Sequence, residues 1–224
     1  MHCRKYCGFS QPSGNDGTIW HTSGEVRAFM RVIAGKYRSR HLKSPRGMAL
    51  RPTSDRLRET LFNILGDRVA GAFFVDLFAG TGAVGIEALS RGARKVVFIE
   101  KHAPAVTLIK KNLEALEANA GTRILAVDAL RGLEVLAKSR TGEDPGPDIV
   151  YVDPPYGNTE DYERVLRWIG FEGLLPQGSL VIAEHRRNFE SPEAVGNLER
   201  VRLLRQGDAV LSFYRLGRKV SAES

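Results

Sequence analysis

The chain has 224 residues, 42% of them hydrophobic, and a formal net charge of +7. That length builds one α/β domain with a proper core and a modest extension. No run approaches the roughly 20 apolar residues that a bilayer span needs, and no signal-like apolar region stands near the N-terminus. A membrane protein is therefore excluded and the cytoplasm is the expected location.

Cys3 and Cys7 are the two cysteines, so a disulfide framework is excluded. With His2 they make three possible metal ligands and no second cluster, and no metal is expected. Residues 1–29 are rich in Gly, Ser and Thr and show no period, which reads as a disordered tail or a start upstream of the true one. Residues 30–52 form a basic arm, and 30–45 read as two short strands or an extended segment. Residues 31–60 hold nine basic groups against Asp55 and Glu59, a local excess of +7 that equals the charge of the whole chain. Such a concentration suits a polyanion, because neutralised phosphates release counterions. Arg38, Arg40, Lys43 and Arg51 are the expected phosphate contacts. Arg56 and Arg58 lie off the apolar face of the helix that follows; they are further candidates, which the helix can turn toward or away from a phosphate.

That helix starts after Pro52, with Thr53, Ser54 or Asp55 as cap, and turns Leu57, Leu61, Ile64 and Leu65 to one side. From Phe73 the pattern alternates. Strands are predicted at 73–78, 96–99, 124–127, 149–152 and 180–183. Helices are predicted through Leu89 and over 103–118, 130–138 and 162–169. Val201–Leu204 and Val210–Tyr214 flank a turn and read as a hairpin. Repeated βα units imply a mostly parallel seven-stranded sheet with helices on both faces and a C-terminal antiparallel hairpin. The domain spans 53–217, and 218–224 is a short tail.

The glycine turn Asp76-Leu77-Phe78-Ala79-Gly80-Thr81-Gly82 lies between the first buried strand and a helix. Glycines there let the backbone turn tightly and approach a ligand closely. Gly80, Gly82 and Gly85 also satisfy the dinucleotide spacing. Asp76, however, would repel a pyrophosphate and suits an ammonium. Glu100 ends the second strand, where an acid accepts ribose hydroxyls in either kind of nucleoside site. Asp128 ends the third strand; it either receives an adenine amine or caps the next helix.

Asp153-Pro154-Pro155-Tyr156 follows the fourth strand. An exocyclic base amine is a poor nucleophile, its lone pair delocalised into the ring. The Asp153 carboxylate and the Pro154 carbonyl both accept N–H groups, which would aim that lone pair outward. Proline brings no competing donor. Tyr156 offers a face on which a base stacks.

The glycine turn and Asp153-Pro154-Pro155-Tyr156 together resemble class I, amine-directed methyltransferases. The stretch Leu50-Arg51-Pro52-Thr53-Ser54-Asp55-Arg56-Leu57-Arg58-Glu59-Thr60-Leu61-Phe62-Asn63, with Met30-Arg31-Val32-Ile33-Ala34-Gly35, resembles the bacterial 16S rRNA guanine-N2 methyltransferases of the RsmD family. The likeness covers about residues 30–216. It implies a Rossmann-like fold, S-adenosylmethionine as cofactor and ribosomal RNA as partner, free or in an assembling small subunit; a monomer is the expected state. It further implies that Asp76, Phe78, Ala79, Gly80 and Gly82 hold the methionine end of the cofactor, that Glu100 holds its ribose, and that Asp128 and Ala129 lie by the adenine. Asp153, Pro154 and Tyr156 would receive the guanine. A DNA adenine-N6 enzyme would use the same proline motif but leaves no room here for a DNA-recognition region. An NAD-dependent oxidoreductase would leave that motif unexplained, and a non-catalytic RNA-binding module would not transfer methyl groups.

Overall fold

Continuous apolar runs with β-branched and aromatic residues make the central strands, because a parallel strand is covered on both faces. The structure, a computed structural model, describes residues 18–20, 26–28, 30–44, 54–155 and 159–217. Short ladders come first: β1 (Thr18–Trp20) with β2 (Val26–Ala28), and β3 (Met30–Arg31) with β4 (His41–Leu42). The main sheet contains β5 (Phe73–Leu77), β6 (Lys95–Ile99), β7 (Thr122–Leu125), β8 (Ile149–Val152), β9 (Leu180–Arg186), β10 (Ala194–Val195), β11 (Leu198–Gln206) and β12 (Ala209–Leu216). The helices are α1 (Asp55–Leu65), α2 (Ala83–Ser90), α3 (Ala103–Ala115), α4 (Ala129–Lys138) and α5 (Thr159–Phe171). Among the described residues no helix is long and apolar enough to cross a membrane.

The sheet order is β10-β11-β12-β9-β8-β5-β6-β7. Pairings from β7 through β9 are parallel; those from β9 to β10 are antiparallel. The seven expected strands are all present, and β10 adds a two-residue edge. Alternation along each strand splits the core. Phe74, Phe98, Tyr151 and Ile182 join one cluster with Leu57, Leu61 and Phe62 of α1, Ile86 of α2 and Ile109 of α3. Val75, Val97, Val150 and Val181 join the other with Leu133 of α4 and Val165 and Ile169 of α5.

Departures from the predicted boundaries have local causes. β7 stops at Leu125 because its partner β6 ends at Ile99, the residue opposite. β9 runs past Ala183 to Arg186 because β12 pairs with it as far as Ala209↔Arg186, even though Glu184 and His185 are polar. Both polar side chains are buried.

The arm is part of the fold. The Glu87 carboxylate, buried on α2, accepts the Ile33 and Ala34 N–H groups at 2.8 and 3.0 Å. Ser90 Oγ accepts the Tyr37 N–H at 2.9 Å. Gly35 has φ +81, and a Cβ there would stand 1.8 Å from the Ser90 carbonyl oxygen, so only glycine closes this turn. Arg58 corrects the sequence expectation. It is fully buried, donating to the Arg31 carbonyl at 2.6 Å and to Asp55 at 2.8 Å, with Glu87 at 3.9 Å. Carboxylates on α1 and α2 hold it inside, so it is unavailable to a polyanion.

Candidate active site

β5 is the switch point of the sheet: the chain leaves it toward β6 and β7, then returns on its other side as β8. Ligands of open α/β sheets bind where the carboxyl ends of such strands diverge. The glycine turn follows β5 there, and Asp153 follows β8. The two loops are joined directly, since the Asp153 N–H donates to the Leu77 carbonyl at 3.4 Å. Asp153 is half-buried, Pro154 buried and Pro155 exposed. Tyr156 lies outside the described residues.

The turn itself is built from unusual backbone. Phe78 is half-buried at φ +62, a strained conformation for a non-glycine residue and one that concentrates at functional sites. Gly80 and Gly82 follow at φ +53 and +76. A Cβ on Gly80 would meet only the Phe78 carbonyl oxygen, 3.9 Å away, so that side of the turn is open to a ligand. Ala79 is buried, and its N–H donates to the Ile99 carbonyl at 3.1 Å. Gly85 has another reason to be glycine. A Cβ would stand 2.3 Å from the Phe98 ring, so the third glycine of the dinucleotide-like spacing serves helix-to-strand packing.

Both oxygens of the buried Glu100 carboxylate accept backbone donors: Gly80 N–H at 2.9 Å and His102 N–H at 2.8 Å. A carboxylate offers about four lone-pair sites, so acceptor capacity remains for a diol. Of the two readings open for Asp128, the capping contact is present. Asp128 is the N-cap of α4, and its Oδ1 accepts the Arg131 N–H at 3.1 Å. Ala129 is the buried first residue of that helix.

Asp76 is buried and accepts the Gly85 N–H at 2.8 Å, binding the first turn of α2. Burial pushes its carboxyl up to about 8; the Gly85 bond opposes this and the nearby Glu100 charge adds to it. The folded value is raised, so stability is complete below about pH 4, where both states are protonated. It falls as the unfolded chain ionises between about 4 and 8, and the loss is complete above that. Asp76→Asn keeps an acceptor for Gly85 and removes the titration. Melting curves should show the variant gaining several degrees on the wild type from pH 5 to pH 8; a constant difference would mean that Asp76 ionises freely.

The expected RNA contacts are divided. Arg38, Arg40 and Lys43 are exposed, and Arg51 lies outside the described residues. Arg40 also donates to the Ala115 carbonyl at 2.9 Å, closing the C-terminus of α3. The Asn112 side chain pairs with both backbone groups of Lys43 and donates to the Thr81 carbonyl at 3.2 Å, so the arm touches the glycine turn. Neither Glu87 nor Asn112 was singled out from the sequence. Their signal is a polar residue at an inward helical position, Asn112 beside Leu113 and Glu87 beside Ile86.

A family model described as Conserved hypothetical protein 95 matches residues 30–215. Ribosomal RNA small subunit methyltransferase D of Escherichia coli (strain K12) is 38% identical over 158 residues, covering 68% of this chain and 74% of that one. The chain belongs to the RsmD family of rRNA methyltransferases. The Bacillus subtilis (strain 168) protein YlbH is 36% identical over 186 residues, 83% of this chain and 98% of that protein. The solved structure of Escherichia coli yhhF shares the fold at a TM-score of 0.72 with 31% identity, covering 85% of this chain and 99% of that one. The RsmD match opens at Met30, so it takes in the arm, α1 and the whole sheet through β12. Methyl transfer in this family draws on S-adenosylmethionine, and the open glycine turn with Glu100 at the end of β6 fits that group.

Proposed function

We propose that this RsmD-family enzyme moves the methyl group of S-adenosylmethionine to the exocyclic N2 amine of a guanine in 16S rRNA. The observation that carries the reading is the direct hydrogen bond between the Asp153 loop and the end of β5, which brings an amine-accepting loop beside a nucleoside-binding turn. The cofactor supplies an electrophilic methyl group on a sulfonium. In this reading the glycine turn and Asp76 hold its methionine end, Glu100 takes the ribose hydroxyls, and Asp128 and Ala129 border the adenine. The Asp153 carboxylate and the Pro154 carbonyl each accept one N–H of the amine. The nitrogen lone pair then points toward the glycine turn, and Asp153 carries the proton that the product amine sheds. Tyr156 stacks on the base. Arg38 and Lys43 contact phosphates, as does Arg51.

S-adenosylhomocysteine should raise the melting temperature and NAD should not. Labelled methyl groups should pass to 16S rRNA and not to DNA. Label in DNA alone, or stabilisation by NAD alone, would contradict the reading. Transfer to naked transcript and to immature small subunits, compared, separates the two forms of substrate.

Glu100→Ala should weaken S-adenosylhomocysteine binding roughly 10- to 150-fold, the equivalent of about 1.5–3 kcal/mol for a hydrogen bond to a charged group. Glu100→Gln should lose less, because one oxygen remains for Gly80 or the ribose. Calorimetric titration measures both, and an unchanged affinity for the alanine variant would mean that the ribose is held elsewhere.

A further inference from the structure

The next strand beyond β8 leads to a second recess. Val152 pairs with Ala183, the last registered pair of the two strands, so Asp153 and Glu184 both follow it at the same edge of the sheet. β12 runs antiparallel to β9 with Ala209 opposite Arg186, which brings the turn after β11 to that edge as well. Between this turn, the end of β9 and the start of α1 lies a cleft of about 450 Å³, lined among others by Ser54, Arg56, Glu184, Arg186, Arg187 and Gln206.

The cleft has the acid Glu184 at its floor and three arginines at its rim, with one exposed acid, Asp208, beside them. Glu184 is buried and accepts the hydroxyl of Tyr151. Arg56, Arg186 and Arg187 are exposed. Among the described residues no ion pair or side-chain hydrogen bond engages the guanidinium of Arg56 or Arg187, whereas Arg58 and Arg40 are committed within the protein. The rim is also held in place. The Arg187 N–H donates to the Asp208 carbonyl at 3.1 Å. The Arg186 carbonyl accepts from His185 Nδ1 at 2.9 Å, which leaves Nε2 to accept from Ser212 Oγ at 2.8 Å. Burial lowers the pKa of His185 and so favours this neutral ring.

We propose that this cleft is a phosphate subsite, in which Arg56 and Arg187 bind the RNA backbone next to the nucleotide presented to Asp153. The inference rests on the reading of Asp153 as the receiver of the target amine. A base reaches Asp153 only after leaving its stack, so its flanking backbone lies against the protein surface around this edge of the sheet, where the rim stands. Two guanidinium groups on separate elements, α1 and the end of β9, grip a phosphate by the fork geometry that suits arginine.

The test is binding of a 16S rRNA transcript to the full chain across several salt concentrations, with the double variant Arg56→Ala/Arg187→Ala. RNA affinity should fall at least about tenfold, and the slope of log affinity against log salt should flatten by roughly 0.7 to 0.9 when that phosphate is no longer neutralised. Melting temperature and S-adenosylhomocysteine affinity should stay at wild-type values, since both side chains are exposed. Arg56→Lys/Arg187→Lys should recover the slope and only part of the affinity. Wild-type RNA affinity and slope in the alanine variant would overturn the subsite. The underlying reading fails differently: the wild-type enzyme would then place no methyl group on guanine, whatever the arginines do to binding.

Discussion

Asp153→Ala should slow methyl transfer by roughly 100-fold or more while leaving S-adenosylhomocysteine affinity nearly unchanged, in keeping with the loss of a group that acts on the transition state. The backbone reason is local. The Asp153 N–H is held by the Leu77 carbonyl, and Pro154 is buried, so the loop keeps its place without the carboxylate. The glycine turn and Glu100 are untouched. Asp153→Asn sharpens the test. It keeps the shape and one acceptor oxygen but removes the negative charge and the proton acceptor, so it should be slower than the wild type and faster than alanine. Single-turnover assays with saturating cofactor separate chemistry from product release. Near-wild-type turnover in the alanine variant would remove the acceptor role of Asp153, and near-wild-type turnover in the asparagine variant would remove the need for its charge.

Glu87→Ala should be the most destabilising single substitution among the polar core residues. It would leave Arg58 buried beside no compensating α2 carboxylate, take a 2.8 Å partner from Arg91, and orphan the Ile33 and Ala34 N–H groups. Removing one partner of a buried ion pair costs about 3–5 kcal/mol, or roughly 6–20 °C in melting temperature for a domain of this size. The arm should detach at the same time, because Glu87 is one of its main anchors. Thermal melts and proteolysis between residues 30 and 44 report the two effects. A loss below about 1 kcal/mol, with the arm still protected, would show that Ser90 and Asn112 hold it alone.

The sheet was legible because its central strands are uninterrupted apolar runs and its helices repeat at 3.6 residues. The two site loops were legible because both fall at strand ends, where residue type is dictated by chemistry. Polar residues inside the core were not legible. Arg58 follows Leu57 on a helix whose buried face is wider than its aliphatic stripe, and what admits it is Asp55 together with the Arg31 carbonyl and Glu87, both remote in sequence. The length of β9 was hidden for the same reason, since Glu184 and His185 are satisfied by Tyr151 and Ser212 from neighbouring strands. Gly85 matched a ligand-binding spacing, yet its tight neighbour is the Phe98 ring. The count of basic groups in residues 31–60 overstated the charge offered to RNA, because Arg58 is internal and Arg40 closes α3.

The most direct measurement is nucleoside analysis of 16S rRNA after incubation with the enzyme and labelled S-adenosylmethionine. The label should appear in N2-methylguanosine, and it should vanish with Asp153→Ala. Label in N6-methyladenosine, or in guanosine with the alanine variant as active as the wild type, would contradict the assignment of this site to a guanine amine.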